Sequence, residues 1–127
     1  MKKLPFLFIP VIFLIACSAS KSTGKAAPDV VTVPDSVTKV LKGNIDRQVL
    51  ETDPEFKWFN DNMKFGQADP AAIEAFRRNA SKFNMLVFGG TWCHDTQNLL
   101  PEFYRLVDKS GFPASKIELI GVDRKKK

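Results

Sequence analysis

The chain has 127 residues, of which 44% are hydrophobic and 26% charged, and its formal net charge is +5. This length suits one globular domain rather than two. Much of the positive charge lies at the two ends, in Lys2-Lys3 and Lys125–Lys127, so it does not define a binding surface. No stretch interleaves basic and aromatic residues as nucleic-acid-binding surfaces do, and we therefore expect no nucleic-acid partner.

The N-terminus has the pattern of a secretory signal. A short basic start is followed by the apolar stretch Leu4–Ala16, which is too short for a bilayer-spanning helix of roughly 20 residues. The stretch closes with Leu14-Ile15-Ala16-Cys17, which resembles the lipobox of bacterial lipoproteins. The resemblance implies that residues 1–16 are a lipoprotein signal peptide and that Cys17 becomes the acylated first residue, anchored in a lipid bilayer. The alternative is an ordinary cleaved signal peptide with a chance cysteine.

Residues 17–36 are predicted to form the lipidated N-terminus and a flexible tether. Ser18–Pro34 is rich in small and polar residues without an apolar period, a composition typical of linkers. Ser18, rather than an aspartate, follows the lipobox cysteine, and this favours the outer membrane over the inner membrane. We therefore expect a lipid-anchored protein of the bacterial cell envelope, with residues 37–127 as its folded domain.

Two helix-start signals precede the centre of the domain. Asp53-Pro54 and Asp69-Pro70 each place a good N-cap residue before a proline, and apolar residues follow both at helical spacing. The patch Val37–Leu41 is too brief to assign. Gly43–Thr52 is compatible with either an extended segment or a loop.

A strand, a helix and a second strand follow. Phe83–Gly90 is predicted to be a fully buried strand, because its apolar residues do not alternate with polar ones. Helical spacing resumes after Cys93 and stops at Gly111, with a kink expected at Pro101. Lys116–Asp123 is predicted to be a second buried strand. This order of helices and buried strands predicts an α/β fold.

Cys93 lies at the junction between the first of these strands and the helix. Unpaired N–H groups at a helix N-terminus favour a thiolate over a thiol. His94, the single histidine, would add to this effect when protonated, and Asp95 would partly offset it; the alternative for His94 is a solvent-exposed residue without a role. Consecutive helical residues point about 100° apart, which excludes a protease-like triad. We expect no metal site, because further Cys or His ligands are missing.

Trp92-Cys93-His94-Asp95-Thr96, with Pro101 eight residues after the cysteine, resembles the active-site region of the thioredoxin superfamily. The preceding apolar strand and the Val122-Asp123 end of the next strand also fall where thioredoxins have them, and the resemblance covers roughly Ala71–Lys127. Some bacterial thioredoxin-like lipoproteins have a similar site without the second cysteine. The resemblance implies that Cys93 is the nucleophile, that Trp92 and His94 flank it, and that Thr96 occupies the resolving position, with no cofactor.

The sequence departs from the family pattern in three ways. Thr96 replaces the second cysteine, which in thioredoxins resolves the mixed disulfide. Val87 replaces the buried acid that accepts a proton in the family. The cis-proline strand, its hairpin partner and the last helix have no counterpart before Lys127. We therefore expect an incomplete, C-terminally truncated thioredoxin-like fold with an exposed apolar edge.

Two functions are compatible with these features. The first is monothiol thiol–disulfide exchange, in which Cys93 attacks protein disulfides of the cell envelope and an external thiol then releases it. The second is a redox-inactive binding or structural module of a surface lipoprotein, in which Cys93 preserves only the shape of the turn.

Overall fold

The computed structural model describes residues 30–35 and 38–126. The predicted signal peptide and Cys17 therefore lie outside the described residues. The helices and strands, in chain order, are β1 (Val31–Val33), β2 (Val40–Asn44), α1 (Arg47–Thr52), α2 (Lys57–Asn62), α3 (Pro70–Asn79), β3 (Met85–Gly89), α4 (His94–Ser110) and β4 (Ile117–Gly121). Short 3₁₀ turns precede α2 and β4.

The strands form one mixed sheet in the order β1-β2-β4-β3. β3 and β4 are parallel, whereas β2 is antiparallel to both β1 and β4. The predicted α/β class is confirmed at this level. Val31–Val33 lies inside the segment predicted to be a tether, and the structure instead has a strand there, with Val31 opposite Lys42.

The core lies on the face of the sheet that the helices cover. Its centre is the packing of α2 against α4, where the Phe59 and Tyr104 rings meet edge-to-face at 5.7 Å. The buried cluster consists of Leu41, Ile45, Leu50, Phe56, Phe59, Leu100, Tyr104, Val107, Phe112, Ile117 and Leu119. Most of the stabilisation comes from this burial, because the helices other than α4 are short.

The predicted helix signals are confirmed at three ends. The Asp53 carboxylate accepts a hydrogen bond from the Glu55 N–H at 3.0 Å, and Asp69 accepts one from Ala71 at 2.8 Å. Gly111 ends α4 in the left-handed conformation with φ 68°, which glycine adopts without steric cost. The segment Gly43–Thr52, predicted to be extended or a loop, begins with the end of β2 but continues as the helix α1. The prediction was therefore wrong for its second half.

The prediction that Phe83–Gly90 is fully buried was wrong. The strand is present, but Leu86 and Phe88 are 56% and 64% exposed, while Met85 and Val87 pack against the core. The second predicted buried strand, β4, is not fully buried either: its side chains alternate in burial, and Glu118 is exposed. An uninterrupted apolar run indicates burial only when helices cover both faces of a sheet, and in the described residues they cover one.

The Arg47 side chain lies over the Tyr104 ring at the edge of the core. Its guanidinium carbon lies 4.8 Å from the centre of the Tyr104 ring, and its nitrogens pair with Asp108 at 2.6 Å and Glu51 at 2.6 Å. Burial raises the pKa of the Tyr104 phenol to about 12, although the nearby Arg47 charge acts in the opposite direction. The folded chain therefore keeps this phenol protonated above its ordinary pKa of 10.

The raised pKa of Tyr104 predicts a loss of stability at alkaline pH. Between pH 10 and about 12 the unfolded phenol ionises while the folded one stays neutral, so the free energy of unfolding falls over this window. Tyr104 is the single tyrosine, so a tyrosinate absorbance titration measures it directly, folded and in urea. Tyr104→Phe should remove this part of the alkaline loss. A folded-state midpoint equal to the unfolded one would contradict the prediction.

Candidate functional site

Cys93 is the N-cap residue of α4, at the end of the turn that leaves β3. Its N–H donates to the Gly90 carbonyl at 2.8 Å, and its carbonyl accepts from the Gln97 N–H at 3.0 Å. The thiol is free and half-buried, and it makes no capping hydrogen bond to the helix. The next three amides of α4 have no carbonyl to bond within the helix, so the thiol lies beside a group of N–H dipoles.

Thr96 bridges the first turn of α4 and the end of β3. Its hydroxyl oxygen accepts a hydrogen bond from the Gly90 N–H at 3.2 Å. Its methyl group lies against Gly89, where an added Cβ would come within 3.0 Å of it. A hydroxyl that accepts one hydrogen bond still has its own proton to donate. The residue at the predicted resolving position is thus part of the turn that carries Cys93.

Trp92 lies between the turn and the chain that leaves β4. Its indole Nε1–H donates to the Val122 carbonyl at 3.0 Å, and an added Cβ at Gly90 would lie 2.7 Å from that nitrogen. The Arg124 guanidinium carbon is 5.0 Å from the indole ring, and Arg124 Nε pairs with Asp35 Oδ2 at 2.7 Å. The Arg124 guanidinium therefore lies over the Trp92 ring in a cation–π contact, and its ion pair with Asp35 helps to hold it there.

Thr91 fastens the turn to β2. It is 3% exposed, and its hydroxyl accepts from the Leu41 N–H at 3.1 Å and donates to the Lys39 carbonyl at 2.9 Å. The Gln97 side chain in turn donates to the Thr91 carbonyl at 2.9 Å. Sequence reasoning missed Thr91 and Arg124, because their partners lie far away along the chain and leave no local pattern.

The remaining predicted residues fall into two groups. His94 and Asp95 are both exposed on the first turn of α4. Val87 is partly buried and packs against the core. The resemblance to thioredoxins would place a buried acid at this position, and the residue here is apolar.

A shallow apolar groove lies beside the turn. It has a volume of about 280 Å³ and is lined by Val87, Phe88, Asp95, Thr96, Leu99, Leu100 and Phe103. Leu99 is 61% exposed at its rim. A larger groove of about 420 Å³ lies at the opposite end of β3 and β4, so the smaller groove is the one next to the first turn of α4.

The described residues contain neither a metal site nor a membrane-spanning helix. Within residues 30–35 and 38–126, no three His, Cys, Asp or Glu side chains converge in a way that could hold a metal ion. Across these same ranges no helix has both the length and the apolar character needed to cross a membrane.

Comparison with known proteins gives no match: no family model, no curated protein and no solved structure is significantly similar to the chain. The resemblance to thioredoxins therefore rests on the residues around Cys93 and stays a prediction.

Because the Thr91 hydroxyl makes two buried hydrogen bonds, removing it should lower the free energy of unfolding. Thr91→Val keeps the shape but leaves the Leu41 N–H and the Lys39 carbonyl without this partner, so we expect a loss of about 1–3 kcal/mol in the free energy of unfolding. Urea unfolding measures it. Thr52→Val is the matched control, because its hydroxyl bonds one helical carbonyl at the surface. Equal effects of the two variants would show that Thr91 does not fasten the turn.

Proposed function

We propose that the protein is a membrane-anchored thioredoxin-like lipoprotein that performs thiol–disulfide exchange through Cys93. The observation that supports this best is the position of the thiol. Cys93 is the N-cap residue of a 17-residue helix that follows a parallel strand and a short turn, and free backbone N–H groups at a helix N-terminus in general favour negative charge. The thiol is half-buried, and an apolar groove that suits an apolar stretch of a protein substrate includes Asp95 and Thr96 of the same helix turn.

The exchange requires no electron acceptor beyond the substrate disulfide. The Cys93 thiolate attacks one sulfur, the S–S bond breaks, and the second sulfur leaves as a thiolate that takes a proton from water. Cys93 is then joined to the substrate in a mixed disulfide. An external thiolate attacks the substrate sulfur of this bond, so that Cys93 leaves as a thiolate and the substrate keeps the new disulfide.

The proposed exchange is monothiol because of Thr96. The resolving cysteine of a dithiol enzyme would attack the mixed disulfide from this position, and a hydroxyl cannot replace it. Thr96 accepts from the Gly90 N–H, and its own proton is available to a negatively charged sulfur. Val87 offers no proton acceptor beneath the site, so protons would exchange with solvent.

A second candidate is a redox-inactive binding or structural module. It is favoured by the hydrogen bonds that hold the turn, since those of Thr91, Trp92 and Thr96 do not involve sulfur. In that case Cys93 would be a small residue at a tight turn, and the exposed apolar side chains around the groove would bind a partner.

Reactivity of the folded chain distinguishes the two candidates. We expect Cys93 to react with a small aromatic disulfide faster in the folded chain than in urea at the same pH, because only the folded chain has the helix N-terminus. Stopped-flow absorbance measures both rates, and Cys93→Ser gives the background. A slower reaction in the folded chain would favour the redox-inactive module.

Thr96→Cys is the matched variant for the proposed mechanism. A cysteine at this position supplies the missing resolving sulfur, so mixed disulfides between Cys93 and envelope proteins should be trapped in the unmodified chain and disappear in the variant. Non-reducing gels of cells treated with acid and an alkylating agent show these adducts. Adducts that persist in Cys93→Ser would arise from another group and would contradict the mechanism.

The proposed anchor is tested separately at Cys17. Acylation of this residue should place the full chain in the membrane fraction of bacterial cells and label it with radioactive palmitate. Cys17→Ser should lose both the label and the membrane association, whereas Cys93→Ser should keep them. A Cys17→Ser chain that still carries the label would refute lipidation at this residue.

A further inference from the structure

The Trp92 ring is held at its edge and over its face by residues that are distant from it along the chain. At the edge, its indole Nε1–H donates to the Val122 carbonyl at 3.0 Å. Over the face, the Arg124 guanidinium carbon lies 5.0 Å from the ring centre, a distance at which a cation is attracted to an aromatic ring. Because Cys93 directly follows Trp92, contacts that fix the indole also restrict the backbone that carries the thiol.

Asp35 fixes the position of the Arg124 side chain. Arg124 Nε pairs with Asp35 Oδ2 at 2.7 Å, and its Nη2 donates to Oδ1 at 3.5 Å. The Asp35 side chain is 13% exposed, whereas that of Arg124 is 50% exposed. Asp35 Oδ1 also accepts from the Thr38 N–H at 3.3 Å. A carboxylate that is mostly removed from water is costly to bury without a cation, so the pair is anchored at Asp35.

The same pair connects the segment after β1 to the turn that carries Cys93. Within the described sheet, β1 has three residues and pairs with β2 alone. Asp35 follows this strand, and Arg124 follows β4. Thr91 already holds the turn to the start of β2. The contact through Arg124 is therefore a separate attachment of the turn, and it is made on the Trp92 side.

We propose that Arg124 is a positioning residue for Cys93 and that Asp35 acts on the thiol through Arg124. The inference rests on the proposed thiol–disulfide exchange, since it concerns the rate of that step. Arg124 holds the Trp92 indole, and the indole fixes the backbone just before the N-cap of α4. The thiol thereby keeps its place beside the free N–H groups of the helix. When the pair opens, the turn gains freedom and Cys93 reacts more slowly.

The Asp35–Arg124 pair also makes the site sensitive to salt. Half of the Arg124 side chain is exposed, and ion pairs of this kind weaken as the ionic strength rises. We therefore expect the rate of Cys93 with an uncharged disulfide to fall from low to high salt in the unmodified chain. Asp35→Asn has no ion pair to lose, so its rate should show little of this fall.

A double-mutant cycle on the full chain in detergent tests whether the two residues act as a unit. The probe is dipyridyl disulfide, which is uncharged at neutral pH, and stopped-flow absorbance gives the rate after subtraction of the Cys93→Ser background. Asp35→Asn and Arg124→Gln should each lower the rate by about two- to fivefold. The double variant should be no slower than either single one. Glu74→Gln is the matched control, because it breaks the Arg77 ion pair of 2.9 Å on α3, and it should leave the rate unchanged.

The sign of the Asp35→Asn effect separates positioning from a direct effect of charge. Removing a negative charge favours a nearby thiolate and would by itself speed the reaction, whereas loss of positioning slows it. The emission of Trp92 provides the spectroscopic readout, measured with Trp58→Phe as the background because Trp58 packs against the core elsewhere. Acrylamide should quench this emission more strongly in Asp35→Asn and in Arg124→Gln than in the Trp58→Phe background alone.

The proposal and the underlying exchange fail in different ways. A rate that is unchanged or higher in Asp35→Asn, additive losses in the double variant, or unchanged quenching of Trp92 would overturn the positioning role. The exchange itself fails if Cys93 of the unmodified chain reacts more slowly when folded than in urea, and the relative rates of the cycle still decide whether Arg124 positions the thiol. Circular dichroism verifies that each variant is folded.

Discussion

The turn that carries Cys93 depends on the hydroxyl of Thr91. This one buried group makes two backbone hydrogen bonds at the start of β2, as acceptor for the Leu41 N–H and as donor to the carbonyl of Lys39, the residue before the strand. β2 is itself paired with β4, and β4 holds the end of β3. Besides β3, which it leaves, the turn is thus held by β2 through Thr91 and by the end of β4 through Trp92. The position of the thiol follows from backbone pairing, and it does not require the sulfur to bond anything.

The parallel pairing of β3 and β4 explains why so many contacts meet at this end of the sheet. Parallel strands bring their carboxyl ends to the same edge, so the turn after β3 lies beside the chain that leaves β4. The Trp92 indole reaches the Val122 carbonyl, and Arg124 reaches the indole. Asp35 then pairs with Arg124. The segment next to β1 is in this way connected to the site through one cation.

The sequence predicted those features whose causes are local. The caps at Asp53 and Asp69, the end of α4 at Gly111 and the place of Cys93 between strand and helix depend on neighbouring residues. The helix α1 was not predicted, since Gly43–Thr52 suggested an extended segment or a loop; it has six residues and owes its stability to packing. The exposure of Leu86 and Phe88 could not be predicted, since an apolar run gives no information about which face the helices cover.

The site was predictable to the same extent. Trp92, Cys93, His94 and Thr96 lie together because they are consecutive or nearly so. Thr91 and Leu41 are separated by 50 positions, and Arg124 and Asp35 by 89, so their contacts exist only through the sheet. A buried threonine and an arginine in a basic terminal run have no distinctive sequence pattern. Their roles follow from topology, which a single sequence does not specify.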